Sequence, residues 1–462
     1  MQTCFTLDDV LTPDECRHFI QAASYRPTGQ DYPASYRDND RLVLDDPGLA
    51  ERLMERLRAH LPPVWPAPGG GQWQLDRLNS RFRGCRYRDG QQFSRHRDGA
   101  YCPDAYHRSF LTVMVYLNEG SEFDGGSTRF YPDRWSSQPC LTVAPRRGTG
   151  AVFEHSFWHD GQAVSRGTKY VLRTDVIYRS QTPQAGHLGY VWDLLELPDG
   201  RIASASRDQT VRLWNRDLEP LAVLAGHQAS VTALAWFGQQ LWSGGRDRQL
   251  IRRDSKGQPL HSFQAHGGAI LTLLASPDGL YSAGADARVC LWSERGELIA
   301  SFACPSWPWA LLLTDEGLWV GCETGHLRLH HPRSGRLLRE WLSPSGVLSL
   351  AGDGPRLLAG CQDAVIRAFA PDGSATCLVG HRGPVSCLAR SPRGLLSGGQ
   401  DDGIRLWSGQ FSQELGRRGD FVRKVLPLAD GRLVSAGYDG LGLLAWPGHM
   451  QVGGMPTMAG SE

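Results

Sequence analysis

Apolar and polar positions change their period twice along the chain. Near the start, TPDEC offers Thr12 as an N-cap, Pro13 at the first helical position and Glu15 as capping-box partner, and RHFIQAAS continues with helical spacing. A second amphipathic helix is predicted over PGLAERLMERLRAHLP. Beyond the Pro- and Gly-rich PPVWPAPGGG (62–71) the helical period stops. Short runs split by turns replace it: RFRGCRYR, FSRH, SFLTVMVYLN, STRFYP, LTVAP, GAVFEH and KYVLRTDVIY. About eight strands in a segment of about 110 residues predict a sandwich or jelly roll, with the two helices packed on one face.

The remainder of the chain is repetitive. Small-residue pentads recur as SASRD (204–208), SGGRD, SAGAD, VGCET, AGCQD, SGGQD and SAGYD (435–439), spaced 39, 39, 38, 39, 38 and 38 residues apart. A turn and a short strand follow most of them, ending in a bulky residue such as Trp214, Trp292, Phe369 or Trp407. Each unit reads as an inner strand such as VTALAWF, a second strand of small residues, a turn at the Asp, a third strand and an outer one. Seven such units predict a seven-bladed β-propeller. The fourth unit departs from the pattern, with Thr324 in place of the Asp and His330 near the Trp position. The strand that closes the ring is expected from 180–185 or from the residues after Trp446.

The fold class is therefore mainly β. A jelly-roll domain is expected over 1–180 and a propeller over 181–448, with 449–462 as a flexible tail.

Charge narrows the partners. Lys plus Arg number 49 against 48 Asp plus Glu, a net charge of +1, so no global field favours nucleic acid or an anionic membrane. No stretch approaches the about 18 continuous apolar residues of a membrane span, and the amino terminus lacks the basic and apolar segments of a leader. Eleven scattered Cys without a C-x-x-C pair suit free thiols in a reducing cytosol. The expectation is a cytoplasmic protein without structural zinc or disulfides.

The stretch FSRHRDGAY contains His-Arg-Asp, which opens the catalytic loop of protein kinases. That motif continues with Leu and an Asn five residues beyond the Asp, whereas Gly99 and Pro103 stand here, and no phosphate-binding loop accompanies it. A metal reading fits better. In an extended segment alternate side chains share a face, so His96 and Asp98 point together while Arg97 points away. His159, in FWHDGQAVSRGTKY, is the third candidate, on a later strand. Two His and one carboxylate on one face of an iron are the donor set of non-heme Fe(II) oxygenases.

His155 is a weaker rival for His159, because it lacks the Asp-Gly that follows His159. Asp160 is expected to be a turn residue or a group that orients His159, and not a base. His330-His331 is expected to be structural, and Arg37 and Arg41 either line a substrate groove or lie in an exposed loop.

Carried by CRYRDGQQFSRHRDG, FLTVMVYLN, GGSTRFYP and HDGQAVSRGTKYVLRTDVIYR, residues from about 5 to 180 resemble the prolyl 4-hydroxylase-type 2-oxoglutarate/Fe(II) dioxygenases. Residues from about 186 to 447 resemble the WD-repeat family. The first resemblance implies iron held by His96, Asp98 and His159. It further implies that the distal carboxylate of 2-oxoglutarate is bound by Lys169 with Tyr87 and Thr112, with Arg173 as an alternative anchor four residues on. Ascorbate is a further implied cofactor. The activity implied is oxidative decarboxylation of 2-oxoglutarate to succinate coupled to hydroxylation of an unactivated C–H, on a protein or peptide recruited by the propeller. A small-molecule hydroxylase and a non-catalytic scaffold with a vestigial oxygenase domain stand as alternatives.

Overall fold

In the computed structural model the described residues are 3–21, 24–27, 39–66, 72–88, 90–182, 186–418 and 420–438, with the backbone of 444–446. Arg37, Asp439 of the last pentad and the expected tail over 449–462 lie outside them. The chain divides into two compact units, Met1–Leu188 and Gly189–Glu462. Among the described residues no helix is long and apolar enough to cross a membrane.

The first unit begins with β1 (Cys4–Leu7) and α1 (Pro13–Gln21), whose capping box is formed: Glu15 N donates to Thr12 Oγ1 at 3.2 Å and Thr12 N to Glu15 Oε2 at 2.8 Å. Then follow β2 (Arg26–Pro27), β3 (Asp40–Asp45) and α2 (Pro47–Leu57), the last capped by Asp46. Next are β4 (Val64–Pro66), β5 (Gln72–Leu78), β6 (Arg81–Arg88), β7 (Phe93–His96), β8 (His107–Tyr116) and β9 (Phe123–Gly125). The remaining strands are β10 (Thr128–Tyr131), β11 (Leu141–Val143), β12 (Gly150–Glu154), β13 (Trp158–Gly161) and the long β14 (Val164–Ser180).

A large antiparallel sheet runs β1-β12-β8-β14-β6-β3-β2, with β5 and β9 also pairing on β14, and a smaller sheet runs β11-β10-β13-β7. Alternation along the central strands assigns their faces. Val113, Val115, Leu172 and Val176 pack with Leu49, Leu53 and Leu57 of α2 in one core. On the opposite face, Tyr116 and Val171 pack against Phe130 and Val143 of the small sheet. Side chains in register with that second set, such as Thr112, Lys169 and Arg173, are thereby directed between the sheets.

The second unit consists of seven successive antiparallel sheets, six of four strands and a last of three among the described residues. The first strand of each sheet packs on the first strand of the next, and Val422–Pro427 of the seventh packs on Val191–Glu196 of the first. Leu428, Val434 and Ala436 share a core with Val191, Leu194 and Trp214. Of the residues expected to supply a closing strand, Ser180 ends β14 of the first unit, Gln181 and Thr182 form a bend, and 183–185 and those after Trp446 are outside the described set.

Pentad acids and tryptophans are tied by buried hydrogen bonds. In the sixth sheet His381 Nδ1 meets Asp401, while Ser397 Oγ lies 2.7 Å from both His381 Nε2 and Trp407 Nε1. The third sheet repeats this with His266, Asp286, Ser282 and Trp292. In the second sheet Arg253 replaces the Trp and donates to Ser243 Oγ at 2.8 Å. His330 is buried, donates through Nδ1 to Gly335 O at 2.9 Å and stacks on Phe302, a structural role.

Candidate metal centre

The smaller sheet sets the first two donors side by side. β7 and β13 run antiparallel with His96 and His159 as register partners, which brings their rings to 4.2 Å between centroids. Both are buried. His96 Nδ1 lies 2.7 Å from Ser94 O and His159 Nδ1 lies 3.0 Å from Phe157 O. A carbonyl can only accept, so each Nδ1 carries its proton and each Nε2 turns a lone pair inward. Phe93 stacks on His96 and Phe153 stands edge-on to His159, fixing both rings. Burial, followed by the neighbouring His96 ring, pulls His159 down to about 3, so it stays neutral and able to ligate.

Asp98 arrives differently from the expected extended segment. β7 stops at His96, and Asp98 is placed from outside the strand by its N–H, which donates to His155 O at 3.0 Å. Its carboxylate lies 3.6 Å from His96 Nε2 and 3.9 Å from His159 Nε2. These separations are too long for hydrogen bonds and suit three donors sharing one ion. One donor atom from each residue lies within 4.8 Å of the other two. Two imidazole nitrogens and one carboxylate match the donor set of a non-heme Fe(II) site.

Around Asp98 the polar groups are closely paired. Thr112 Oγ1 donates to Asp98 Oδ2 at 2.6 Å and lies 3.1 Å from His155 Nδ1; His155 Nε2 is 2.9 Å from Ser109 Oγ, which in turn accepts from Tyr101 N. Because the Thr112 proton goes to the carboxylate, His155 Nδ1–H donates to Thr112 and Ser109 donates to His155 Nε2. His155 thus buttresses Thr112 and is not among the metal donors. Arg173 Nη1 approaches Asp98 Oδ1 at 2.8 Å, and its Nη2 approaches Asp175 at 3.3 Å. Asp175 is held in addition by Arg83 at 3.0 Å. Burial alone would raise the Asp98 carboxyl, but the Arg173 guanidinium outweighs it and holds the group well below the usual carboxylate range.

Deeper between the sheets lies Lys169. It is 4% exposed, its Nζ donates to Gly126 O, and the rings of Tyr87 and Tyr116 stand 5.5 and 5.3 Å from the ammonium. Tyr87 is its cross-strand partner. Gly126 has φ +71°, and a Cβ there would meet Lys169 Cδ at 3.1 Å, so glycine permits the close approach of its carbonyl. Burial lowers the Lys169 ammonium to about 8.

Of the seven residues singled out in sequence, His96, Asp98 and His159 converge, Lys169 and Tyr87 meet, and Arg173 and Thr112 lie at Asp98, with Thr112 engaged there and not beside Lys169. Tyr116 escaped the sequence reading. Its period-two relation to Thr112 on β8 could have revealed it, since both face the small sheet; its hydroxyl donates to Thr128 Oγ1 at 2.7 Å. Asp160 does not orient His159: it forms a paired contact with Arg129 at 2.8 and 3.0 Å and accepts from Tyr131 at 2.9 Å. Strand alternation turns it away from the ring beside it.

Comparison with known proteins agrees with both halves. Residues 82–174 match the family model described as the 2OG-Fe(II) oxygenase superfamily, and residues 179–215, 257–293 and 373–408 match the WD domain, G-beta repeat. F-box/WD repeat-containing protein 9 of Bos taurus is 29% identical over 154 residues, covering 32% of this chain and 33% of that protein. Its Homo sapiens counterpart is matched over 39% of its length, so the chain spans well under half of these relatives. A ribosome biogenesis protein WDR12 homolog of Chlamydomonas reinhardtii is 24% identical over 50% of this chain and 65% of its own. Among solved structures, the WD40 β-propeller domain of Doa1 superimposes with a TM-score of 0.52 at 22% identity, over 57% of this chain and 94% of that domain. The chain thus joins a 2OG-Fe(II) oxygenase domain to WD repeats.

Proposed function

We propose that the first unit is an Fe(II)- and 2-oxoglutarate-dependent hydroxylase of prolyl 4-hydroxylase type on a double-stranded β-helix, and that the second is a seven-bladed propeller recruiting a protein or peptide to it. The observation that carries the reading is the convergence of His96 Nε2, Asp98 and His159 Nε2, with a buried ammonium at Lys169, beside no carboxylate among the described residues, in the same interlayer space. Iron and 2-oxoglutarate together would supply dioxygen activation, with succinate and carbon dioxide as coproducts.

The chain's own residues do the rest. His96, Asp98 and His159 would hold the metal. Thr112 and Arg173 fix the Asp98 carboxylate, and Phe93 and Phe153 keep the imidazoles in place. Lys169, with Tyr87 and Tyr116 beside it, receives the far carboxylate of 2-oxoglutarate, where a dry cation gains most from an anion. Eleven free thiols suit a reducing, cytosolic setting. Ascorbate is assigned a supporting role, read as its effect on repeated turnover.

The test is succinate formation by anaerobically iron-loaded protein. Turnover that disappears in His96→Ala supports the enzyme. Absence of turnover and of retained iron in the wild type would leave a non-catalytic scaffold, while turnover stimulated by small molecules and by no peptide would remove the recruiting role.

A further inference from the structure

The fourth sheet of the second unit carries an exchange of residues that its neighbours make visible. His227, His266 and His381 each stand four residues before the inner strand of their sheet, which opens at Val231, Ile270 and Val385. In register with those openings are Gly245, Gly284 and Gly399. The imidazoles fill the space over these glycines, since a Cβ there would lie within 3.0 Å of the respective His Nδ1. Each His is also tied to the Asp of its pentad, Asp247, Asp286 or Asp401. The fourth inner strand opens at Pro308, which pairs with Cys322. By the same count Cys304 holds the His place, and Thr324 stands where the Asp is found elsewhere. All three members of the set are thus exchanged together, and two of the replacements are thiols.

These two places aim their side chains at one another. The fifth sheet shows the separation directly, because its corresponding residues are Ser343 and Cys361, whose Oγ and Sγ lie 3.6 Å apart. In the fourth sheet both γ atoms are sulfur, in a core shared with Leu318 and Val320. Cys322 is fully buried, whereas Cys304 retains 9% exposure. A hydrogen bond from the Cys322 thiol pulls Cys304 below its ordinary range, with Arg328 acting in the same direction against burial, and Cys322 is raised in return. The readier thiolate is therefore also the one that a small oxidant meets first. A disulfide needs its sulfurs at about 2.05 Å, a closure of about 1.5 Å from the spacing seen in the fifth sheet.

We propose that Cys304 and Cys322 form a dithiol modification site that hydrogen peroxide converts to a disulfide. The Cys304 thiolate attacks one peroxide oxygen, the O–O bond breaks, and the departing hydroxide takes up a proton and leaves as water. Cys322 then attacks the sulfenic sulfur, so that the S–S bond forms as the S–O bond breaks and a second water leaves. Two thiols lose two electrons, and the peroxide gains them. An external dithiol restores the pair by exchange. The disulfide ties the loop before the inner strand to the second strand (Gly317–Cys322), a connection that His, Asp and Ser side chains make in the third and sixth sheets. The site lies in the second unit and is independent of the reaction proposed for the first.

The test uses the full chain, kept free of iron so that peroxide makes no radicals, and treated while folded with one equivalent of hydrogen peroxide. The protein is then alkylated, unfolded and cut after Glu316, which separates the two cysteines. Mass spectrometry should find the peptides of Cys304 and Cys322 linked, two hydrogens lighter than their sum, and dithiothreitol should release them. The oxidised protein should melt higher than the reduced one. Cys304→Ser and Cys322→Ser should lose the linked peptides. Should Cys322→Ser not fold, Cys322→Gly, which installs the residue of the second, third and sixth sheets, carries the same expectation. Ser343→Cys should gain a second link, to Cys361. No link in the folded protein, a link no more abundant than pairs among the other cysteines, oxidation of Cys304 alone to the sulfinic acid, or an oxidised form that melts no higher would overturn the proposal.

Discussion

Lys169→Met separates the cost of burying the ammonium from its use. The folded protein holds this group at about 8, against about 10.4 in an unfolded chain, a difference worth roughly 3 kcal/mol. The sign follows from proton counting. Between pH 8 and about 10.4 the unfolded chain keeps a proton that the folded protein has released, so stability rises with pH across that window and the full destabilisation is present below it. Methionine removes that burden and forfeits the bond to Gly126 O, worth about 1 kcal/mol. The net gain at pH 7 is about 2 kcal/mol, or a rise of about 4–8 °C in the melting of a unit of this size.

With Mn(II) in place of iron, 2-oxoglutarate at a hundredfold excess over its Kd should stabilise the wild type by about 2.7 kcal/mol. In the variant, the missing cation costs about 2–5 kcal/mol of binding, so the same concentration should stabilise it by no more than about 0.9 kcal/mol. Differential scanning fluorimetry at pH 7 and pH 10, with and without 2-oxoglutarate, reads both effects. Should the variant melt lower than the wild type at pH 7, Lys169 is not a strained cation; should both proteins respond equally to 2-oxoglutarate, it is not the anchor.

Other outcomes follow from the same physics. His155 is pulled down to about 4 by burial, from about 6.5 when unfolded, so the unfolded chain binds more protons between those values and about 3 kcal/mol of stability is lost as pH falls from 6.5 to 4; in His155→Gln, urea midpoints should fall less steeply across that range. Ser397→Ala strands Trp407 Nε1 and His381 Nε2 and should cost about 2–4 kcal/mol in urea unfolding of the second unit. Arg253→Trp restores the residue that Trp214, Trp292 and Trp407 supply elsewhere and removes a cation whose burial lowers it to about 10, so the midpoint should rise by about 1–3 kcal/mol.

Much of the site was legible because its signals are local or periodic. His96 and Asp98 stood out by their spacing, and His159 and Lys169 by theirs, although Asp98 lies outside β7 and His159 and Lys169 lie on different strands; the pentads mark their own turns. Thr112 was legible as a site residue, though not in its contacts. Strand alternation directs it between the sheets, yet whether it meets Asp98 or Lys169 depends on where a loop outside β7 brings Asp98. Asp160 misled for the opposite reason: adjacency to His159 in sequence means opposite faces in a strand.

The sequence by itself determined two kinds of β structure, seven repeats and three candidate metal donors, because hydrophobic period, turn chemistry and donor type are written residue by residue. Only the tertiary structure decided which polar groups meet. It set His96 and His159 in register, gave Asp98 to Thr112 and Arg173, left Lys169 among tyrosines with no carboxylate beside it among the described residues, and brought Arg246, Arg423, Trp192 and Trp309 together from four separate repeats. Those partnerships join residues tens to hundreds of positions apart, and their energies come from burial and pairing that exist only once the sheets have closed on one another.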